Sequence, residues 1–110
     1  MKYRIYNNNQ LNEVSESEYE NWLEQEGNNY LLPEVNLASG INNFTIDTDY
    51  QGVHKEDEKP LPFVLFIHSE EMRHGQEKES VEHFQSFDEL KKRRDELIEQ
   101  IQSGRLVDFE

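Results

Sequence analysis

The residues able to carry chemistry fall into three groups. The first is His54, His68, His74 and His83 together with Asp47, Asp49, Glu70 and Glu71, a potential set of metal ligands. No two of the histidines stand at the HxH or HxxxH spacing that sets two imidazoles on one face of a strand or helix. Surface histidines in loops are the simpler reading. Asp47 and Asp49 are one residue apart, so on a strand both carboxylates leave from the same side and could hold Mg²⁺ or Ca²⁺. Two carboxylates are an incomplete set, and a solvated strand face explains them as well. A metal-binding protein or hydrolase using Asp47, Asp49 and nearby His is therefore one expectation.

The second group is a row of glutamates. Six Glu and no basic residue lie between Glu13 and Glu26. Glu16, Glu20 and Glu24 recur every four residues, which on a helix aligns them about 6 Å apart along the axis. Such a row can imitate a phosphate backbone and occupy a basic groove, or it can be a solvated face. The third group, Lys91-Lys92-Arg93-Arg94, sits among Asp88, Glu89, Asp95, Glu96 and Glu99. Pairing three and four residues apart should neutralise most of it, and the remainder could meet an acidic patch on a second copy.

Covalent catalysis lacks its usual residues. The chain has no cysteine, no Gly-x-Ser-x-Gly and no glycine-rich phosphate loop. No catalytic residue and no cofactor is expected.

The elements that must position these groups are organised around Pro60-Leu61-Pro62-Phe63-Val64-Leu65-Phe66-Ile67, the one long apolar run in a polar chain. Phe63 to Ile67 are rich in β-branched and aromatic residues and too few to cross a membrane, so they read as a strand buried on both faces. The prolines delay its start to about Phe63. Lys2-Tyr3-Arg4-Ile5-Tyr6 alternates as a half-buried strand, and Asn7-Asn8-Asn9-Gln10 is a turn. Ser15 and Glu18 form a capping box that opens a helix of about ten residues. Tyr19, Trp22 and Leu23 are its buried stripe, and Gly27-Asn28-Asn29 ends it. Pro33 makes residues 30–37 an edge strand or an extended loop. Residues 41–50 alternate, with Phe44 and Ile46 on one side and Thr45 and Asp47 on the other. Val81-Glu82-His83-Phe84 is a further short strand. Ser86-Phe87-Asp88-Glu89 is a second capping box, opening a helix over residues 87–103 whose apolar positions are Phe87, Leu90, Leu97, Ile98 and Ile101. Arg94 fills the gap in that stripe with its aliphatic stem. Leu106-Val107-Asp108-Phe109 follows as an apolar tail.

Short connections favour antiparallel pairing. The expectation is an α+β fold: a small antiparallel sheet of four to five strands, with a short N-terminal and a longer C-terminal helix packed on it, in one domain over residues 1–110.

The segments Ile41-Asn42-Asn43-Phe44-Thr45-Ile46-Asp47-Thr48-Asp49-Tyr50 and Pro60-Leu61-Pro62-Phe63-Val64-Leu65-Phe66, followed by a late helix, resemble a group of short uncharacterised phage and prophage proteins. The likeness covers about two-thirds of the chain by order of elements and about twenty residues by motif. Tyr50 stands where that group usually has His, and Val64 and Leu65 where it has Glu and Thr, so the resemblance transfers no site. It implies a small α+β domain of mobile-element origin.

Composition narrows the function classes. The chain carries 24 acidic and 11 basic residues, a net charge of −13. The imbalance is −8 up to residue 60 and −5 beyond it. Direct binding to nucleic acid or to an anionic membrane is disfavoured, since both reward positive surface. Met1-Lys2-Tyr3-Arg4 is followed by one or two apolar residues and then by Asn, unlike a signal peptide. A cytoplasmic location is expected. The leading functional expectation is a non-enzymatic interaction module of inhibitor, anti-defence or immunity type. Its acidic surface, with Glu16, Glu20 and Glu24 as contacts, would bind a basic protein partner. A homo-oligomer joined through Tyr30, Leu31 and Leu32 or through the apolar tail is a further alternative.

Overall fold

A computed structural model describes residues 1–104. The apolar tail at Leu106, Val107 and Phe109 lies outside the described residues. Among the described residues seven strands and two α-helices make an α+β fold. The strands are β1 (Lys2–Asn7), β2 (Gln10–Val14), β3 (Val35–Ser39), β4 (Asn42–Tyr50), β5 (Val53–His54), β6 (Phe63–Glu71) and β7 (Glu77–Phe84). The helices are α1 (Glu16–Glu26) and α2 (Phe87–Gln102). In place of one sheet there are two, both antiparallel: a small one ordered β2-β1-β5 and a larger one ordered β3-β4-β6-β7.

The extra strands arise from turn chemistry. Asn8 and Asn9 both have positive φ, 53° and 61°, and connect the paired residues Asn7 and Gln10. Two left-handed residues form the tight turn whose twist matches an antiparallel hairpin, and Asn tolerates that backbone. The chain therefore doubles back into β2, which its polar composition hides. Residues 31–34 run on from a short 3-10 turn (Gly27–Tyr30), and the edge strand begins at Val35.

Both helix starts follow their side-chain caps. The Ser15 hydroxyl accepts from the Glu18 N–H at 3.2 Å, and the Glu18 carboxylate accepts from the Ser15 N–H at 3.3 Å. At α2, the Ser86 hydroxyl accepts from the Glu89 N–H at 3.2 Å, but among the described residues no reciprocal bond runs to the Glu89 carboxylate, so the expected second capping box is a single serine cap. The two serine hydroxyls each satisfy a first-turn N–H that has no partner within the helix.

One hydrophobic core joins both sheets and both helices. Phe44, Ile46, Leu65 and Ile67 point from the larger sheet towards Leu90, Leu97 and Ile101 of α2. At the junction with the smaller sheet an aromatic cluster takes over. Phe63 meets Tyr6 edge-on at 4.8 Å and Tyr50 at 5.2 Å between ring centroids, and Trp22 stacks on Tyr30 at 5.7 Å. Ring edges against ring faces suit the aromatic quadrupole and add to the area buried. Tyr30 and Leu32 belong to this core, which corrects their reading as exposed contact residues; Leu31 alone of the three is exposed.

Lys91, Arg93 and Arg94 of the basic run on α2 are in ion pairs, but the tightest partner lies on another element. Arg93 grips Glu82 of β7 with two bonds, 2.9 and 3.3 Å, and also approaches Glu96 at 4.0 Å. Lys91 reaches Asp88 at 4.0 Å. Arg94 donates to the Pro33 carbonyl at 2.9 Å while its stem stays largely buried, as its place in the apolar stripe predicts. The fork of Arg93 ties α2 to the edge of the sheet with a directional contact that a lysine would not reproduce.

Candidate functional surfaces

Strand β6 is central, paired to β4 on one side and β7 on the other. Helix α2 covers one of its faces; the other is buried at Val64 and half-buried at Phe66, so the strand is buried on both faces over Phe63–Leu65, as expected, and opens beyond. Side chains alternate along a strand and residues opposite each other share a face. The register then defines the second, open face of the larger sheet. Asp47 lies opposite Phe66 and Phe66 opposite Val81; Asp49 lies opposite Val64 and Val64 opposite His83; Thr45 lies opposite His68 and His68 opposite Glu79. Val64 is fully buried, Phe66 is half-buried and Val81 is 50% exposed. Carboxylates of Asp47, Asp49, Glu70, Glu77 and Glu79 share this face, and no Lys or Arg of these strands does.

Asp47 and Asp49 do lie on one side of a strand. Each carboxylate is occupied locally, accepting from the N–H of the next residue: Thr48 at 2.9 Å and Tyr50 at 2.8 Å. The four histidines are dispersed. His54 is in β5, His68 in β6, His74 in the turn after it and His83 in β7. His74 contacts Glu71 at 2.7 Å and His68 approaches Glu77 at 3.5 Å. Among the described residues no three His, Asp or Glu side chains converge on a point where a metal ion would sit.

Helix α1 presents its glutamate row to solvent. Tyr19 and Trp22 are buried, while Glu16, Glu20 and Glu24 are exposed. None of the three is in an ion pair among the described residues. The row is held on a fixed element. The Tyr19 hydroxyl accepts from the Gly52 N–H at 3.1 Å, and the Tyr19 ring packs on Tyr3 at 5.6 Å. Burial raises the Tyr19 pKa, with the nearby Asp49 charge adding to the effect and the Gly52 bond opposing it. Tyr50 is raised further by burial and by Tyr19 and Tyr30, and its hydroxyl donates to the Arg4 carbonyl at 2.7 Å. These phenols are structural donors and acceptors, held neutral.

His54 departs from its reading as a surface loop histidine. It pairs opposite Lys2 at the end of the small sheet and is 6% exposed. Burial lowers its pKa; Arg4 and His83 act in the same sense and Glu58 against them. It lines a cavity of about 320 Å³ with Gln51, Val53, Glu58, Lys59, Leu61 and His83. The wall combines a neutral imidazole with exposed charges of both signs and holds no hydroxyl or thiol nucleophile. It could seat a small polar molecule, and its lining offers no hydroxyl or thiol for covalent catalysis. Single-sequence reasoning missed both this site and the open sheet face. The Val53-His54 strand is only two residues long, and the apolar run around Val64 and Phe66 masked the alternation of β6.

Comparison with known proteins finds no family model, no curated protein and no solved structure that matches this chain. Fold and surface define its class: an α+β protein with a strongly acidic exterior. No helix among the described residues is long and apolar enough to cross a membrane.

Proposed function

We propose that this protein is a non-enzymatic interaction module that binds a basic protein partner. The observation that carries the reading is the exposed row of Glu16, Glu20 and Glu24, in no ion pair among the described residues, on a helix anchored through Tyr19 and Trp22. A fixed row of like charges attracts a complementary surface over a Debye length, about 8–10 Å at physiological salt, and steers its approach. Preorganisation matters too: a helix locked to the core loses less entropy on binding than a loop would. The net charge of −13 repels nucleic acid and anionic lipid and favours a cationic protein surface. The inhibitor or immunity type of module fits this chemistry. It occupies the groove in which a nuclease or defence complex would hold nucleic acid, with carboxylates in place of phosphates. The phage-like resemblance of residues 41–50 and 60–66 is in keeping with that role.

The test is capture of partners from host lysate at low and high salt by the natural chain and by the Glu16→Gln/Glu20→Gln/Glu24→Gln variant. The expected result is a basic partner retained at low salt, released at high salt and bound several-fold less by the variant, whose thermal melt is unchanged. Equal retention by both proteins would remove α1 from the interface.

A further inference from the structure

The open face of the four-stranded sheet has the anatomy of an interface, and this inference rests on the basic-partner reading above. Phe66 and Val81 are directly opposite on adjacent strands and form an apolar centre. Val81 is 50% exposed although valine has no polar group to hydrate. Around that centre stand the carboxylates of Asp47, Asp49 and Glu79, with His68 between Thr45 and Glu79. An apolar centre within a polar rim is how protein interfaces are organised. Helix α2 covers the opposite face through Leu90, Leu97 and Ile101; on this one Val64 is buried, and among the described residues the exposure begins at Phe66 and Val81.

The charge selects the occupant. A second copy docked face to face would set the same carboxylates against each other, a like-charge arrangement that disfavours association. A cationic surface is complementary. We propose that this sheet face is the principal docking surface for the basic partner. The partner presents an apolar side chain to Phe66 and Val81, flanked by Lys or Arg that meet Asp47, Asp49 and Glu79. Helix α1 then acts as a steering element, drawing the partner in, while the sheet face supplies the contact that holds it.

Two short synthetic peptides of equal positive charge test this, one carrying Phe and Leu between its lysines, the other Ser and Gly. Each is titrated into the isotope-labelled full chain, with amide resonances followed by NMR. The apolar peptide should perturb Thr45, Asp47, Phe66, His68 and Val81 saturably, and the polar peptide should bind much more weakly. Val81→Ser, on an exposed edge position, should weaken the apolar peptide by at least about fivefold, the effect of losing a contact worth more than ~1 kcal/mol. Asp47→Asn/Asp49→Asn should weaken it similarly, since each Asn oxygen can still accept the local N–H. Saturable binding confined to residues 16–26 and unaffected by Val81→Ser would overturn the sheet face and leave the basic-partner reading standing. Failure of both peptides to bind would count against both. Dimer formation in sedimentation with the dimer contact at Val81, or nuclear Overhauser contacts from residues 105–110 to Phe66 or Val81 in the free chain, would also overturn it.

Discussion

The Tyr19 hydroxyl accepts a hydrogen bond from the backbone N–H of Gly52 at 3.1 Å, so a helix residue fixes the corner where the chain leaves one sheet for the other. The same glycine accepts from the Arg4 N–H at 2.8 Å through its carbonyl. It thus binds α1, β1 and the end of β4 at one point. A Cβ at Gly52 would collide with the Arg4 carbonyl oxygen and lie 2.8 Å from the rings of both Tyr19 and Tyr50. The Arg4 carbonyl is backbone held in a strand and cannot swing aside.

Gly52→Ala should therefore destabilise the fold by about 2–3 kcal/mol, at the upper end of what overpacking a dense interior costs. Urea denaturation checks this. A midpoint within error of the natural protein would mean that the two sheets are not locked through this corner.

Tyr50→Phe should cost about 1 kcal/mol. It keeps the ring against Phe63 and Trp22 but removes the hydroxyl that donates to the Arg4 carbonyl at 2.7 Å. The intact phenol also makes a prediction for alkaline pH. Its folded pKa lies well above the ordinary tyrosine value, so the unfolded chain ionises first and stability falls as the pH rises above about 10. That slope should be shallower in Tyr50→Phe.

His54 predicts acid sensitivity of the opposite sign. Its folded pKa is lowered by burial, so between its unfolded value near 6.5 and its lower folded value the unfolded chain binds the extra proton. Its contribution is fully present above about pH 7 and is lost as the pH falls through that window. Relief of acidic self-repulsion works the other way once carboxylates begin to protonate. Comparing thermal melts of the natural chain and His54→Gln from about pH 7 down to about pH 5 isolates the imidazole. Parallel slopes for the two proteins would show that His54 does not titrate differently on folding.

Ser15→Ala should lower stability by about 1 kcal/mol, because it strips the hydroxyl from both partners of the α1 capping box. Far-ultraviolet circular dichroism at moderate urea should show fraying of helix signal ahead of global unfolding. Because α1 carries the glutamate row, the same variant should weaken partner binding in proportion to that fraying.

How much of this was legible in the amino-acid sequence depended on the range of the interactions. Local chemistry was readable: the Ser15–Glu18 box, the Ser86 cap, the stripe of Tyr19 and Trp22, the alternation of Phe44 and Ile46, and the stem of Arg94 filling an apolar row. The α+β class followed from the order of those elements. The exposure of Glu16, Glu20 and Glu24 followed from helical spacing once Tyr19 and Trp22 were assigned to the core. Only tertiary structure decided the rest, because it depends on which distant segments meet. Two left-handed asparagines turned a polar stretch into β2, and the Gly52 corner passed the chain to a second sheet through a two-residue strand. That second sheet buried His54, which composition alone places in solvent. The apolar run at Phe63 to Ile67 looks alike whether one face or two are covered. The tertiary structure answered residue by residue: α2 packs on one side, while on the other Val64 is buried and Phe66 and Val81 are left partly exposed among carboxylates.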